Sequence, residues 1–320
     1  MMYYLRLMRP TNMAMVALTM YSIGFYLDIL YFQGEEWGSI IMSFPFFLFV
    51  FSTVLVAGAG NVINDYFDVE ADIVNKPDKV IVGRKLAIKN VFTFYIVLNI
   101  LSLLIVSYIS FLIDDWILLL IYSFSITALW FYSKRLKKVL FLSNILIAFL
   151  TSLVSFQVGL YFSITLPDAG VFIKSTDSIE SFSSYALTLG GVFGLLAFGL
   201  NWLREVVKDM EDLQGDKRIA SRSIPIVYGL EKAKIIYLIF VSIVLLHELV
   251  FIYVVQMKLN SVLPMIPVWL NLLFLIYSSI VLYYSTEVKD FRKASFGLKV
   301  SMVFIIILPF YWAISHYILE

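Results

Sequence analysis

Nine stretches of this sequence are each long and apolar enough to cross a lipid bilayer as a helix, and this pattern constrains the fold more than any other feature. They run over about 12–32, 40–62, 91–113, 116–133, 139–162, 185–203, 235–256, 262–285 and 298–318. About 20 apolar residues suffice to span a hydrocarbon core of roughly 30 Å. A water-soluble domain of 320 residues cannot hide a chain that is 61% hydrophobic. In lipid every backbone polar group must be satisfied within its own segment or by a neighbour, so the expectation is an all-α, polytopic membrane protein. The first run is too long for the apolar core of a signal peptide and has no evident cleavage site, so it reads as a retained helix.

The charges between the runs support the count. Of 24 Lys and Arg, all but Lys174 and Lys258 fall at the N-terminus or in every second connection. Under the positive-inside rule this alternation predicts nine spans in the cell membrane, with a cytoplasmic N-terminus and the C-terminus outside. One span more or fewer would scramble it. The opposite connections carry Glu35, Glu36, Asp114, Asp115, Asp168, Asp177 and Glu180 and read as solvated caps. The Ser-rich stretch over about 165–184 reads as a surface loop without chemistry. A net charge of +1 gives no reason to expect a nucleic-acid partner. The absence of cysteine excludes disulfides, thiolate metal sites and cysteine nucleophiles.

Two acidic segments close the second and sixth runs. The first (61–72) holds Asn61, Asn64, Asp65, Asp68 and Asp72; the second (205–216) holds Glu205, Asp209, Asp212 and Asp216. A constant offset of 144 carries 61, 65, 68 and 72 onto 205, 209, 212 and 216. Four spans separate the segments, so both lie on the cytoplasmic side and point the same way. Such a parallel repeat predicts two related helical bundles around a central cavity.

On a continuous helix, positions i, i+3 and i+7 share an arc of about 60°. Carboxylates stacked on one face repel, and the cost grows near a membrane interior unless cations intervene. A single acidic helix end is ordinarily solvated surface, but two in one register call for divalent metal. Hard oxygen ligands select Mg²⁺ or Ca²⁺, and Mg²⁺ commonly binds through few carboxylates plus substrate phosphates. Basic residues follow: Lys76, Lys79, Arg84 and Lys85 after the first segment, and Lys217, Arg218 and Arg222 after the second. Lys134, Arg135, Lys137 and Lys138 end the fourth run. Positive-inside loops carry such residues anyway, yet beside a metal–diphosphate site some are expected to hold phosphate oxygens.

At these residues the chain resembles the UbiA superfamily of intramembrane prenyltransferases. Asn64, Asp65, Asp68 and Asp72 match its first motif, and Asp209, Asp212 and Asp216 its second. Tyr132, Leu136 and Lys137 match its Tyr-x-x-x-Leu-Lys element, and the likeness extends over residues 1–320 as a single domain. Leu7–Asn12, Glu205–Asp216 and Ser221–Ile226 look most like the geranylgeranylglycerol-phosphate geranylgeranyltransferase branch. One stretch departs from the family pattern: Asn75–Arg84 is a residue shorter and lacks two prolines.

The resemblance implies Mg²⁺-dependent transfer of a long prenyl group, most simply geranylgeranyl, from its diphosphate to a glycerol-phosphate-type lipid acceptor. It implies Asp65, Asp68, Asp72, Asp209, Asp212 and Asp216 as metal ligands. Asn61, Asn64, Lys79, Arg84, Lys134, Lys137 and Arg222 would hold the diphosphate, Tyr132 and Glu205 would serve the allylic cation, and Asn12 would line the substrate pocket. An aromatic acceptor, as in quinone or haem side-chain synthesis, is the alternative within the family. From another class, a cation-coupled transporter would instead place its carboxylates near the midplane.

Other features receive structural readings. His247 and Glu248, in the middle of the seventh run, are expected to form interhelical contacts, and Asp28 to snorkel from the outer end of the first. Gly190, Gly191, Gly194 and Gly199 have the spacing of close helix packing. Gly58 and Gly60 suit either packing or a ligand's approach to the backbone.

Overall fold

The apolar runs fold as helices whose ends are set by the polar residues between them. The computed structural model describes residues 2–32, 38–75, 77–166, 172–174, 179–218, 221–259 and 263–319. Lys76, Glu35, Glu36, Asp168 and Asp177 of the charge pattern lie outside them. A short helix α1 (Met2–Met8) precedes α2 (Pro10–Phe32), α3 (Phe44–Phe67) and the short α4 (Val69–Asn75). Then come α5 (Ile88–Leu112), α6 (Ile117–Lys134) and α7 (Leu142–Thr165). Strands β1 (Phe172–Lys174) and β2 (Ile179–Ser181) lead into α8 (Phe182–Glu211), followed by α9 (Leu213–Arg218) and α10 (Ile224–Tyr228). The chain ends with α11 (Leu230–Leu259), α12 (Ile266–Tyr284) and α13 (Val288–Leu319). Among the described residues nine helices are long and apolar enough to cross a membrane: α2, α3, α5–α8 and α11–α13.

Two expectations change. The Ser-rich connection is not wholly irregular, because β1 and β2 pair antiparallel with Phe172 opposite Ser181. Asp28 does not snorkel; it is buried, and its carboxylate accepts the backbone N–H groups of Gly38 and Ile40. A turn that leaves its N–H groups without backbone partners needs such an acceptor.

The chain divides into two units, Met1–Ala17 with Phe44–Ile147 and Asp209–Ala233, and Leu18–Ser43 with Ala148–Lys208 and Lys234–Glu320. Both acidic aspartate triplets therefore belong to the first. In that unit α3 packs along α5 and α6, and α1 lies against α3. Leu7, Leu55, Val62, Ile63, Val91 and Leu98 form the buried core. Gly58 and Gly60 serve packing: a Cβ at 58 would meet Met8 Cε at 2.6 Å, and one at 60 would meet Leu129 at 3.0 Å. Ser52 donates to Tyr122 at 2.9 Å and Ser102 to the Ser52 carbonyl at 3.0 Å, tying three helices with polar contacts suited to a lipid-embedded bundle.

In the second unit α7 and α8 cross on small residues. A Cβ on Gly190 would stand 3.1 Å from Gly159 Cα, and one on Gly194 would stand 3.1 Å from the Ser152 carbonyl. Gly199 meets Val244 of α11, whereas Gly191 faces open space and does not share the packing role expected of it. Pro309 interrupts the hydrogen bonding of α13, and Ser22 accepts the Phe310 N–H at 3.0 Å beside it. Glu248 takes the interhelical role expected: Asn271 of α12 donates to it at 2.6 Å, and Ser301 of α13 donates to Asn271. His247 is half-buried.

Candidate active site

Neither acidic segment is one continuous helix. The chain leaves α3 at Asp68 and restarts as α4, and it leaves α8 at Asp212 and restarts as α9. The two breaks are 144 residues apart, so the repeat written in the sequence survives in the backbone. Each break residue caps the short helix after it. The Asp68 carbonyl accepts from Asp72 N at 2.9 Å, and the Asp212 carbonyl from Asp216 N at 3.1 Å. The expectation of three carboxylates stacked on one straight face is corrected accordingly. Asp65 lies on α3 and Asp72 on α4, and Asp209 on α8 and Asp216 on α9, with the middle aspartate of each set at the break.

Within the first unit α4 packs on α9. The crossing falls at Ala71 and Gly215, again repeat-related, since a Cβ on Gly215 would stand 2.7 Å from the Ala71 carbonyl oxygen. Asp68 and Asp216 are nearly buried, 5% exposed each. Lys137, in the turn after α6, is ion-paired to Asp68. Burial alone pushes its ammonium down, but Asp68, Asp216 and Asp72 more than reverse this and hold it above the ordinary 10.5. One lysine thus feels carboxylates of both segments.

Other polar groups hold the remaining acids. Asn64 donates to Asp68 at 2.7 Å, and Arg9 is ion-paired to Asp65 at 2.6 Å. Asn144, at the start of α7, donates to Asp209 at 2.9 Å. Arg9 joins α1 to α2 with φ of +58°, a left-handed conformation uncommon for any residue with a Cβ and here followed by Pro10. Its carbonyl accepts from Met13 N at 3.2 Å, starting α2. Asn61 donates to the Met8 carbonyl at 3.0 Å and fastens α3 to α1.

The other sequence-predicted residues are spread more widely. Tyr132 is buried on α6, and Asn12 is half-buried in the first turn of α2. Lys79 and Arg222 are exposed; Arg84 donates to the Pro77 carbonyl at 2.7 Å, bracing its own loop. Lys134 lies over the Trp130 ring, 5.7 Å from its centre. Glu205, in the second unit, is buried and paired with Arg204 at 3.0 Å and Lys208 at 3.5 Å. Sequence reasoning missed Arg9, Asn75 and Asn144. Arg9 and Asn75 stood in stretches compared with the family without a role, and Asn144 was absorbed into an apolar run.

The donor set at the crossing is all hard oxygen. Among the described residues no three carboxylates converge closely enough to form a metal cage by themselves. Asn64 Oδ1 is buried beside Asp68 with no partner among them. An orphaned acceptor in a partly neutralised carboxylate cluster fits Mg²⁺ shared with substrate phosphates, which needs only one or two protein carboxylates per ion.

A multi-pass helical scaffold carrying a repeated acidic motif at its helix ends defines an intramembrane prenyltransferase. The chain matches the UbiA prenyltransferase family over residues 36–303 and belongs to that family. It is 27% identical to a digeranylgeranylglyceryl phosphate synthase of Methanobrevibacter smithii over 304 residues, 94% of each chain. A solved structure of digeranylgeranylglyceryl phosphate synthase superposes with a TM-score of 0.61 at 25% identity, covering 98% of both chains. A UbiA homolog from Archaeoglobus fulgidus, solved with DMAPP and Mg²⁺, shares the fold with a TM-score of 0.55 at 17% identity over 94% of this chain and 98% of its own.

Proposed function

We propose that this enzyme transfers a geranylgeranyl group from its diphosphate to a glycerol-phosphate-type lipid acceptor in a Mg²⁺-dependent reaction. The observation that carries the reading is the meeting of two repeat-related acidic segments around Lys137. The names of the relatives, digeranylgeranylglyceryl phosphate synthases, support the choice of donor and acceptor. The Mg²⁺ and prenyl diphosphate of the Archaeoglobus homolog support the choice of cofactor.

In this reading Asp65, Asp68, Asp72, Asp209, Asp212 and Asp216 hold Mg²⁺. When bound, the metal supplies the positive charge that stabilises the departing pyrophosphate. Lys137 and Asn64, already at Asp68, and Asn61 on the same helix turn toward diphosphate oxygens, with Lys79, Arg84, Lys134 and Arg222 as surrounding cations. Arg84 and Lys134 leave the Pro77 carbonyl and the Trp130 ring to do so. Ionisation leaves an allylic cation that water would quench, so the reaction needs a dry site. Buried Tyr132 offers that cation an aromatic face, and Asn12 lines the substrate pocket. Residues 1–320 act as one domain in the cell membrane, its reacting side and N-terminus cytoplasmic and its C-terminus outside.

The test is purified protein incubated with labelled geranylgeranyl diphosphate, Mg²⁺ and a panel of glycerol-phosphate and aromatic acceptors, read by product mass. The expected product is a glycerol-phosphate ether lipid, absent with Asp68→Ala. Prenylation of an aromatic acceptor instead, or full activity in Asp68→Ala, would overturn the reading.

A further inference from the structure

Asn75 closes α4, the helix of the first acidic segment, yet its side chain works on α9, the helix of the second. Its Nδ2 donates to the Asp212 carbonyl at 3.1 Å, and its Oδ1 accepts the Gly215 N–H at 2.8 Å. Asp212 immediately precedes α9, and the Gly215 N–H lies in the first turn of α9, where helical donors lack full partners of their own. The same N–H reaches the Asp212 carbonyl at 3.1 Å, so the amide of Asn75 completes a shared bond. This is a helix cap supplied in trans, by a residue 137 positions earlier than Asp212.

The fit is tight. A Cβ on Gly215 would stand 2.5 Å from Asn75 Cγ, so glycine at 215 is what lets the amide reach the α9 backbone. The donor and the acceptor of the amide are both used, so the contact fixes orientation as well as distance. The aspartates flanking it, Asp72 three residues before Asn75 and Asp216 one after Gly215, both bear on Lys137.

We propose that Asn75 is a positioning residue: it locks α4 onto α9 and thereby sets the spacing of the two carboxylate sets without touching metal or substrate. The consequence for Mg²⁺ rests on the functional reading above, but the lock itself is made by protein atoms alone.

The experiment uses full-length protein in detergent. The chain has no cysteine, so Ile73→Cys on α4 and Gln214→Cys on α9, both at exposed positions, give two unique spin-label sites. Dipolar EPR should give one narrow interspin distance, broadened in Asn75→Ala and narrowed again by Mg²⁺ with inorganic pyrophosphate. Calorimetry with that same probe should show Asn75→Ala needing about tenfold more Mg²⁺ for half-maximal pyrophosphate binding, the expected loss for two hydrogen bonds. Maximal turnover at saturating Mg²⁺ should change far less. Should Asn75→Ala fail to fold, Asn75→Asp carries the same test, keeping an acceptor for Gly215 and setting an oxygen against the Asp212 carbonyl. An unchanged distance distribution in a folded variant, or an unchanged Mg²⁺ requirement, would overturn the proposal. If wild-type protein binds no Mg²⁺–pyrophosphate, the functional reading falls, and the ligand-free distance still decides the lock.

Discussion

The Lys137 ammonium is ion-paired to the Asp68 carboxylate while lying within electrostatic reach of Asp72 and Asp216, so one cation offsets charge on both acidic segments. Removing it leaves nearly buried Asp68 without its ion pair and the charge on Asp72 and Asp216 uncompensated by this group. Lys137→Met is expected to lower the stability of the metal-free protein by about 2 kcal/mol, less than a fully buried pair would lose. Millimolar Mg²⁺ should restore most of the loss by neutralising the same acids, which thermal unfolding in detergent with and without Mg²⁺ will show. The pH dependence has a definite sign. The folded-state value is raised, so this contribution is fully present below the ordinary 10.5 and is lost only as pH rises through the higher folded value. The stability gap between wild type and Lys137→Met should therefore stay constant with respect to this group from neutrality to about pH 10.

Asn144 holds Asp209 at 2.9 Å from the first turns of α7. A hydrogen bond to a charged acceptor is worth about 1.5–3 kcal/mol. Asn144→Ala should therefore raise the Mg²⁺ concentration for half-maximal activity about tenfold or more. Asn144→Asp should be worse than Asn144→Ala, because it sets a second carboxylate against Asp209. Mg²⁺ titrations of turnover decide this; equal behaviour of the Ala and Asp variants would mean that Asn144 does not act on Asp209.

Two glycines make a matched pair. A methyl at 215 would press on Asn75 and the Ala71 carbonyl, whereas one at 191 would meet nothing within 4 Å. Gly215→Ala is expected to cost about 1–3 kcal/mol of stability by overpacking, with loss of Mg²⁺-dependent activity. Gly191→Ala, inside a helix and unopposed, should be neutral or stabilising by up to about 1 kcal/mol. Thermal midpoints of the two variants against wild type check both directions.

What the sequence revealed of the fold follows from lipid as a solvent. Long apolar runs such as 91–113 had no alternative to helix, and the charge alternation fixed how many there were. The constant offset of 144 foretold the repeat, and the structure keeps it down to the helix breaks at Asp68 and Asp212. Periodicity could not foretell those breaks. A turn that restarts at an aspartate has the same sequence spacing as one that continues, and only the backbone distinguishes them. Asn75 and Asn144 were illegible for another reason: an asparagine's role lies in the partner it finds across the fold, and neither Gly215 nor Asp209 is near it in the chain. Asp28 was misread because its partners, Gly38 and Ile40, are backbone groups in a turn that carries no side-chain signal.

Glu248 offers the last test, on the packing of the second unit. It is fully buried on α11, accepts from Asn271 of α12 at 2.6 Å, and through Asn271 is linked to Ser301 of α13. Its Oε1 has no partner among the described residues. If its role is to tie three helices, what matters is an oxygen placed for the Asn271 N–H. Glu248→Gln keeps that oxygen and the side-chain volume, so its thermal midpoint should lie close to wild type. Glu248→Leu keeps the bulk but strands the Asn271 donor in an apolar interior, at a cost of about 1–3 kcal/mol. Pairing Glu248→Leu with Asn271→Leu removes the stranded amide and should recover part of that loss, the remainder staying with the buried Ser301 hydroxyl that gave its hydrogen bond to Asn271. Strong destabilisation by Glu248→Gln, or no recovery in the double variant, would show that the carboxylate does something other than join these helices.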